Sequence, residues 1–105
     1  MKLITKEIEA KFKKLGSQEN KKKIEDMEIV VKLFNPCGRQ TWYVTNYDPM
    51  TRIATGWVSL FGDFRDEFGD FALWELEELK LMGGLGIKRD LHLGEGHLLK
   101  EVMNK

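Results

Sequence analysis

The residues of this 105-residue chain that could carry chemistry gather near its C-terminal end, in R-D-L-H-L-G-E-G-H, which holds Asp90, His92, Glu95 and His97. Two histidines and a carboxylate make a ligand set for zinc, so His92, Glu95 and His97 are metal candidates. Their spacing matches neither a helical H-E-x-x-H nor a zinc-finger pair, and the expectation is no metal, with His92 at a sheet edge and His97 exposed. Asp90 and His92 alternate along a charged strand and so share a face, which makes them candidates for a general-base pair. A structural ion pair or hydrogen-bond network is the competing expectation. Cys37, the single cysteine, sits in a turn near Arg39, a neighbour that can lower a thiol pKa, but no histidine adjoins it in sequence and it reads as inert. Gly83-Gly84-Leu85-Gly86 lacks the lysine and the preceding strand of a P-loop. No cofactor is expected.

A second group is aromatic: Trp42, Tyr43 and Tyr47 in T-W-Y-V-T-N-Y, and Trp57 in R-I-A-T-G-W-V-S-L-F. Both stretches are rich in β-branched and aromatic residues, which fit a pleated, half-buried surface. Alternation along a strand puts Trp42 and Val44 on one face, and Thr41, Tyr43, Thr45 and Tyr47 on the other. One face is expected to be a helix-covered core. The other becomes a half-exposed aromatic surface with Arg39 and Arg52 near its ends, suited to stacking unpaired bases or to a protein hot spot. The competing expectation is that the N-terminal helix or the tail covers that face.

The elements that must position these groups follow from punctuation and period. Asp48-Pro49 ends the strand over Thr41–Tyr47, with residues suited to the first two positions of a type I turn. The return strand runs from Arg52 to Phe61, with Ile53, Thr55, Trp57 and Ser59 on one face. Upstream, Met27–Phe34 alternates, with Met27, Ile29, Val31 and Leu33 on one face, and Asn35-Pro36-Cys37-Gly38 turns it into Thr41. Thr5 caps a short N-terminal helix whose Ile8, Phe12 and Leu15 share a face, and Gly16 stops it. The run from Phe61 to Phe71 reads as a loop anchored by phenylalanines. From Ala72 to Leu81 an amphipathic helix is expected, with Leu73, Leu76 and Leu79 toward the sheet and Asp70 at its start. Ile87–Leu93 can add a fourth strand with Ile87, Leu91 and Leu93 inward, and His97–Met103 a last short helix or tail.

Length and composition bound the rest. One domain is expected: a helix and basic linker over 1–25, a sheet-plus-helix core over 26–93, and a tail or short helix over 94–105. Apolar residues make up 42% and charged residues 32%, an ordinary globular balance. No apolar run approaches the roughly 18 residues of a membrane span, and the charged M-K-L-I-T-K-E-I does not read as a signal peptide, so a cytoplasmic protein without membrane contact is expected. The zero net charge hides an uneven distribution. Met1–Glu25 carries eight Lys against four Glu, whereas Leu60–Lys80 carries two basic against seven acidic residues. The basic run reads as a solvated surface, and the single-sign excess of a strong nucleic-acid binder is missing.

The chain resembles a family of small bacterial and phage proteins catalogued as a domain of unknown function, the one numbered 2958. The resemblance lies in L-I-T-K-E-I (Leu3 to Ile8), V-V-K-L-F (Val30 to Phe34), T-W-Y-V-T-N-Y-D-P (Thr41 to Pro49), G-D-F-A-L-W-E-L-E (Gly69 to Glu77) and G-L-G-I-K-R-D-L-H (Gly84 to His92), in that order. The chain departs from it at Ala72, where the family more often has Ser, which with Glu75 would complete a capping box. The resemblance implies cargo of plasmids, integrative elements and phages, and no established activity. The expected fold is α+β: a three- or four-stranded antiparallel meander packed against one main helix, with a short N-terminal helix. The expected function is a non-enzymatic protein-binding module of a mobile element, with an anti-restriction variant. The alternatives are single-stranded nucleic-acid binding through the aromatic face and a small enzyme using Asp90 and His92. A protein partner is favoured over nucleic acid, because the acids from Asp63 to Glu78 repel phosphate and attract a basic surface.

Overall fold

In the computed structural model, which describes residues 3–18, 21–60, 66–79 and 86–103, the Thr41–Pro49 stretch forms a central strand and a turn. β1 (Val31–Phe34), β2 (Thr41–Asp48) and β3 (Ile53–Ser59) make the expected antiparallel meander. Asn35 closes the first connection, its Oδ1 accepting from the Cys37 amide at 2.8 Å. Asp48 closes the second, its Oδ1 accepting from the Met50 amide at 2.9 Å and its carbonyl from the Arg52 amide at 2.7 Å. That return sets Arg52 at φ 60°.

The sheet has five strands, in the order β4-β3-β2-β1-β5, and so exceeds the three or four expected. β4 (Glu67–Ala72) pairs antiparallel with β3, so residues 67–71 of the expected loop form a strand. Its sequence conceals this, since Glu67, Gly69 and Phe71 on one face and Phe68, Asp70 and Ala72 on the other give neither face a uniform polarity. Residues 61–65, also assigned to that loop, lie outside the described residues. β5 is only Lys88–Arg89, paired with Phe34 and Leu33. Beyond it the chain turns, because Asp90 Oδ1 accepts from the His92 amide at 2.8 Å. Leu91 is consequently 73% exposed instead of facing inward, while Ile87 is buried.

Helices cover one face. α1 (Lys6–Leu15) begins where Thr5 Oγ1 accepts from the Ile8 amide at 3.3 Å, and ends where Gly16, at φ 73°, donates to the Phe12 carbonyl. α2 (Leu73–Glu78) is shorter than expected. Its N-cap is Ala72, which offers no side-chain acceptor, and Asp70 lies in β4 instead of at the helix start. Leu73 and Leu76 are buried as the period requires, but Leu79 leaves the helix in an extended conformation and is 44% exposed. Lys80 and Leu81, included in the expected helix, lie outside the described residues.

The first core lies under these helices: Leu3, Ile4, Phe12, Val31, Leu33, Trp42, Val44, Ala54, Leu73, Leu76 and Ile87. Met27 and Ile29 were expected to share the face of Val31 and Leu33, but they belong to a second cluster with Leu99, against Tyr43, Trp57 and Phe68. They part because Met27–Ile29 leaves the sheet and pairs with the C-terminal segment. The Ile29 amide donates to the His97 carbonyl at 2.7 Å, and the Leu99 amide to the Met27 carbonyl at 2.9 Å. The expected final helix is a 3-10 turn, Leu99–Glu101, laid on the second face of the sheet. Among the described residues no helix is long and apolar enough to cross a membrane.

Candidate functional site

One irregularity decides where the aromatic residues point. Val44 pairs with Gly56 and Asn46 with Thr55, so Thr45 is an extra residue, a β-bulge. An inserted residue inverts the alternation after it. Tyr47 therefore opposes Ala54 on the face of Trp42 and Val44, and packs on Phe12 of α1 with ring centroids 5.8 Å apart. The expected pairing of Tyr43 with Tyr47 on one face is corrected by this bulge. Trp42 is 7% exposed in the first core.

What remains on the second face is a cross-strand row, Lys32, Tyr43, Trp57 and Phe68. Lys32 Nζ lies 5.7 Å from the Tyr43 ring centroid and 3.7 Å from Asp90 Oδ2. Burial pushes the Tyr43 phenol above its ordinary pKa, and the negative charges of Asp66 and Asp90 add to the shift. The C-terminal 3-10 turn covers part of the row, so the tail, not the N-terminal helix, is its cover. Arg39 is exposed in the β1–β2 turn. Arg52 lies at the far turn, where its guanidinium ion-pairs with Glu77 of α2. Hydrogen bonds with Tyr47 first and Glu77 second hold that guanidinium charged, raising its pKa. The two arginines do not frame one surface.

Past the bulge, β1 no longer flanks β2, and a different structure takes its place. The Gly16–Gln18 segment lies along this edge: the Gln18 amide donates to Asn46 Oδ1 at 2.8 Å, and Gln18 Nε2 donates to the Thr45 carbonyl at 2.8 Å. Gln18 Nε2 also donates to the Glu28 carbonyl at 3.0 Å, and its Oε1 accepts from the Glu28 amide at 2.7 Å. Beside this strut opens a cleft of about 1060 Å³, with α1 as one wall and the distal half of the hairpin as the other. Phe12, Tyr47 and Ile53 supply apolar lining, and Lys13, Asp48 and Asp70 supply charge. Thr55 Oγ1 donates to Asp70 Oδ1 at 2.5 Å and fixes that carboxylate. Sequence reading missed this cleft and Gln18, because a lone glutamine in a polar segment carries no signal of burial.

The C-terminal candidates do not converge. Asp90 accepts from the backbone of His92, and the imidazole is not its partner. His97 Nδ1 lies 2.9 Å from Glu101 Oε1, and Glu95 pairs with Lys11 at 3.6 Å. Among the described residues no group of three His, Cys, Asp or Glu side chains is placed to hold a metal ion. Cys37 is exposed.

No curated protein and no solved structure gives a significant match to this chain. A family model matches residues 3–104, nearly the whole chain, and the chain therefore belongs to the family described as protein of unknown function, DUF2958.

Proposed function

We propose that the chain is a cytoplasmic, non-enzymatic accessory protein of a mobile genetic element, and that it binds a protein partner through the surface between α1 and the distal half of the β2–β3 hairpin. The observation that carries this reading is the cleft between α1 and the distal hairpin, a concave, largely apolar surface of about 1060 Å³ beside an acid-rich strand. Concave apolar surfaces with a few fixed polar groups are where partners and ligands gain affinity. The mobile-element setting rests on family resemblance alone, and an anti-restriction or anti-defence role is a specialisation of it.

Two rival readings lose ground on geometry. Single-stranded nucleic acid needs a platform of several rings. Burial of Trp42 and the turning of Tyr47 leave a row of Tyr43, Trp57 and Phe68, which the C-terminal turn partly covers. A general-base pair needs Asp90 against the His92 ring, and Asp90 is engaged by the His92 backbone and by Lys32.

The test uses Ala10→Arg, an exposed α1 position lining the cleft. A partner captured by the wild type and lost from this folded variant supports the reading. Capture unaffected by it places the partner elsewhere and overturns the reading. The fluorescence of Trp57 and the buried Trp42, with the exposed Trp74 replaced by Phe, serves as the counter-test. Saturable quenching by a single-stranded oligonucleotide that weakens with salt and vanishes in Tyr43→Ala would move the assignment to nucleic acid.

A further inference from the structure

β4 (Glu67–Ala72) is an outer strand of the sheet, and among the described residues it pairs with β3 alone. No main-chain hydrogen bond from the described residues reaches it on its other flank. An open edge of this kind is a template for one more strand, and proteins blunt such edges with charged side chains, lysine above all, or with proline. β4 has no lysine or proline, its charges are all acidic, and a Cβ placed on Gly69 meets nothing within 4 Å.

What the edge carries instead is acid. Phe68 opposes Trp57 and Asp70 opposes Thr55, so the two share the second face. Alternation continues that face to Asp66, giving acid, ring, acid at every second residue. Ser59 Oγ donates to Asp66 Oδ2 at 2.9 Å and Thr55 Oγ1 to Asp70 Oδ1 at 2.5 Å. These hydroxyls fix both carboxylates without neutralising them. Among the described residues Asp66 Oδ1, shielded from solvent, has no hydrogen-bond partner. Among the described residues no lysine or arginine pairs with Asp66, Glu67 or Asp70.

We propose that β4 is the docking edge for an extended segment of a partner protein that carries two basic residues at alternate positions around an apolar one, added as a sixth strand. This goes beyond the cleft reading above, because the β4 edge is a separate surface. Side chains on one face of an added strand repeat every second residue, roughly 6.8 Å apart. A Lys-x-Val-x-Lys pattern therefore sets its cations against Asp66 and Asp70 and its valine against Phe68, the charge and apolar pairings that stabilise neighbouring strands. A second copy of the chain is a poor occupant, since β4 against β4 sets three carboxylates against three. Nucleic acid is repelled for the same reason.

The experiment titrates the isotope-labelled full chain with a ten-residue peptide centred on Lys-Thr-Val-Thr-Lys, and with its Glu-Thr-Val-Thr-Glu counterpart. The expected result is amide shifts and slowed hydrogen exchange along Glu67–Ala72 with the lysine peptide alone. Binding should weaken roughly three- to tenfold in Asp66→Asn/Asp70→Asn, the range expected for two exposed ion pairs. N-methylation of the peptide amides that face β4 should abolish binding, and methylation of the alternate set should leave it intact. Shifts at Ala10 and Asn46 without shifts in β4 would overturn strand addition while leaving the protein-binding reading standing. Indifference to N-methylation, no shift with either peptide, or protection of β4 by self-association would also overturn it. Failure of the protein-binding reading itself shows separately, in the capture assay with Ala10→Arg.

Discussion

Gln18 Nε2 donates to the Thr45 carbonyl at 2.8 Å, and Thr45 is the residue of β2 that the ladder to β3 skips. A bulge leaves its extra residue without a sheet partner, and here a side chain 27 positions from Thr45, 1% exposed, fills that role. The same amide clasps both main-chain groups of Glu28, so one residue joins the linker, the bulge and the entry to β1. Gln18→Ala should cost about 3 kcal/mol, because it strands several half-buried polar groups at once. Urea denaturation followed by fluorescence measures this, and a loss under about 1 kcal/mol, the net worth of a single hydrogen bond, would show that water replaces the amide.

Gly56 opposes Val44 next to the bulge, and a Cβ there would run into the Tyr43 carbonyl. The neighbouring atoms are backbone and cannot step aside as a flexible side chain would. Gly56→Ala should destabilise by about 3 kcal/mol, the upper range for overpacking a well-filled site. Gly69→Ala, in open space on the neighbouring strand, should stay within about 1 kcal/mol and serves as the matched control. Thermal unfolding of the two variants side by side checks the contrast.

Glu77 holds two partners: the Arg52 guanidinium and the Leu3 amide, the latter at 3.0 Å. Arg89 donates to the Leu3 carbonyl at 2.9 Å, so the buried Leu3 is pinned from both sides. Glu77→Ala should cost about 2 kcal/mol, through the unpaired Leu3 amide and the lost ion pair. Arg52→Gly should cost less than Arg52→Ala, since glycine alone relieves the φ of 60° at that position. Equal losses in the two Arg52 variants would show that no backbone strain is held there.

The C-terminal turn should loosen in acid. Hydrogen bonding to His97 first and to the Leu98 amide second lowers the Glu101 pKa below its ordinary 4.5. A carboxylate depressed on folding stabilises the fold at pH above its unfolded value, and that contribution disappears as pH falls through the folded value. Protection of the Leu99 amide, which bonds Met27, should therefore hold above pH 4.5 and decline below it. In Glu101→Gln the decline should be absent, and hydrogen exchange across that range reads the difference.

Much of the local structure was legible because its causes are local. The caps at Thr5 and Gly16, the Asp48-Pro49 turn, the strands of the meander and the inward Leu73 and Leu76 follow from residues within a few positions of one another. His97 is exposed, as expected.

What only the tertiary structure decided depends on partners far away in the chain. β4 is a strand because β3 offers it a ladder, although neither of its own faces is uniformly apolar. Met27 and Ile29 part from Val31 and Leu33 because the C-terminal segment supplies their hydrogen bonds. Tyr47 changed faces because Thr45 is accommodated as a bulge, and the bulge is satisfied by Gln18. Alternation read from sequence assumes an unbroken ladder, and one inserted residue inverts everything after it. The aromatic composition of the surface was therefore written in the sequence, while the division of those rings between core, covered row and cleft was set by pairings between distant residues.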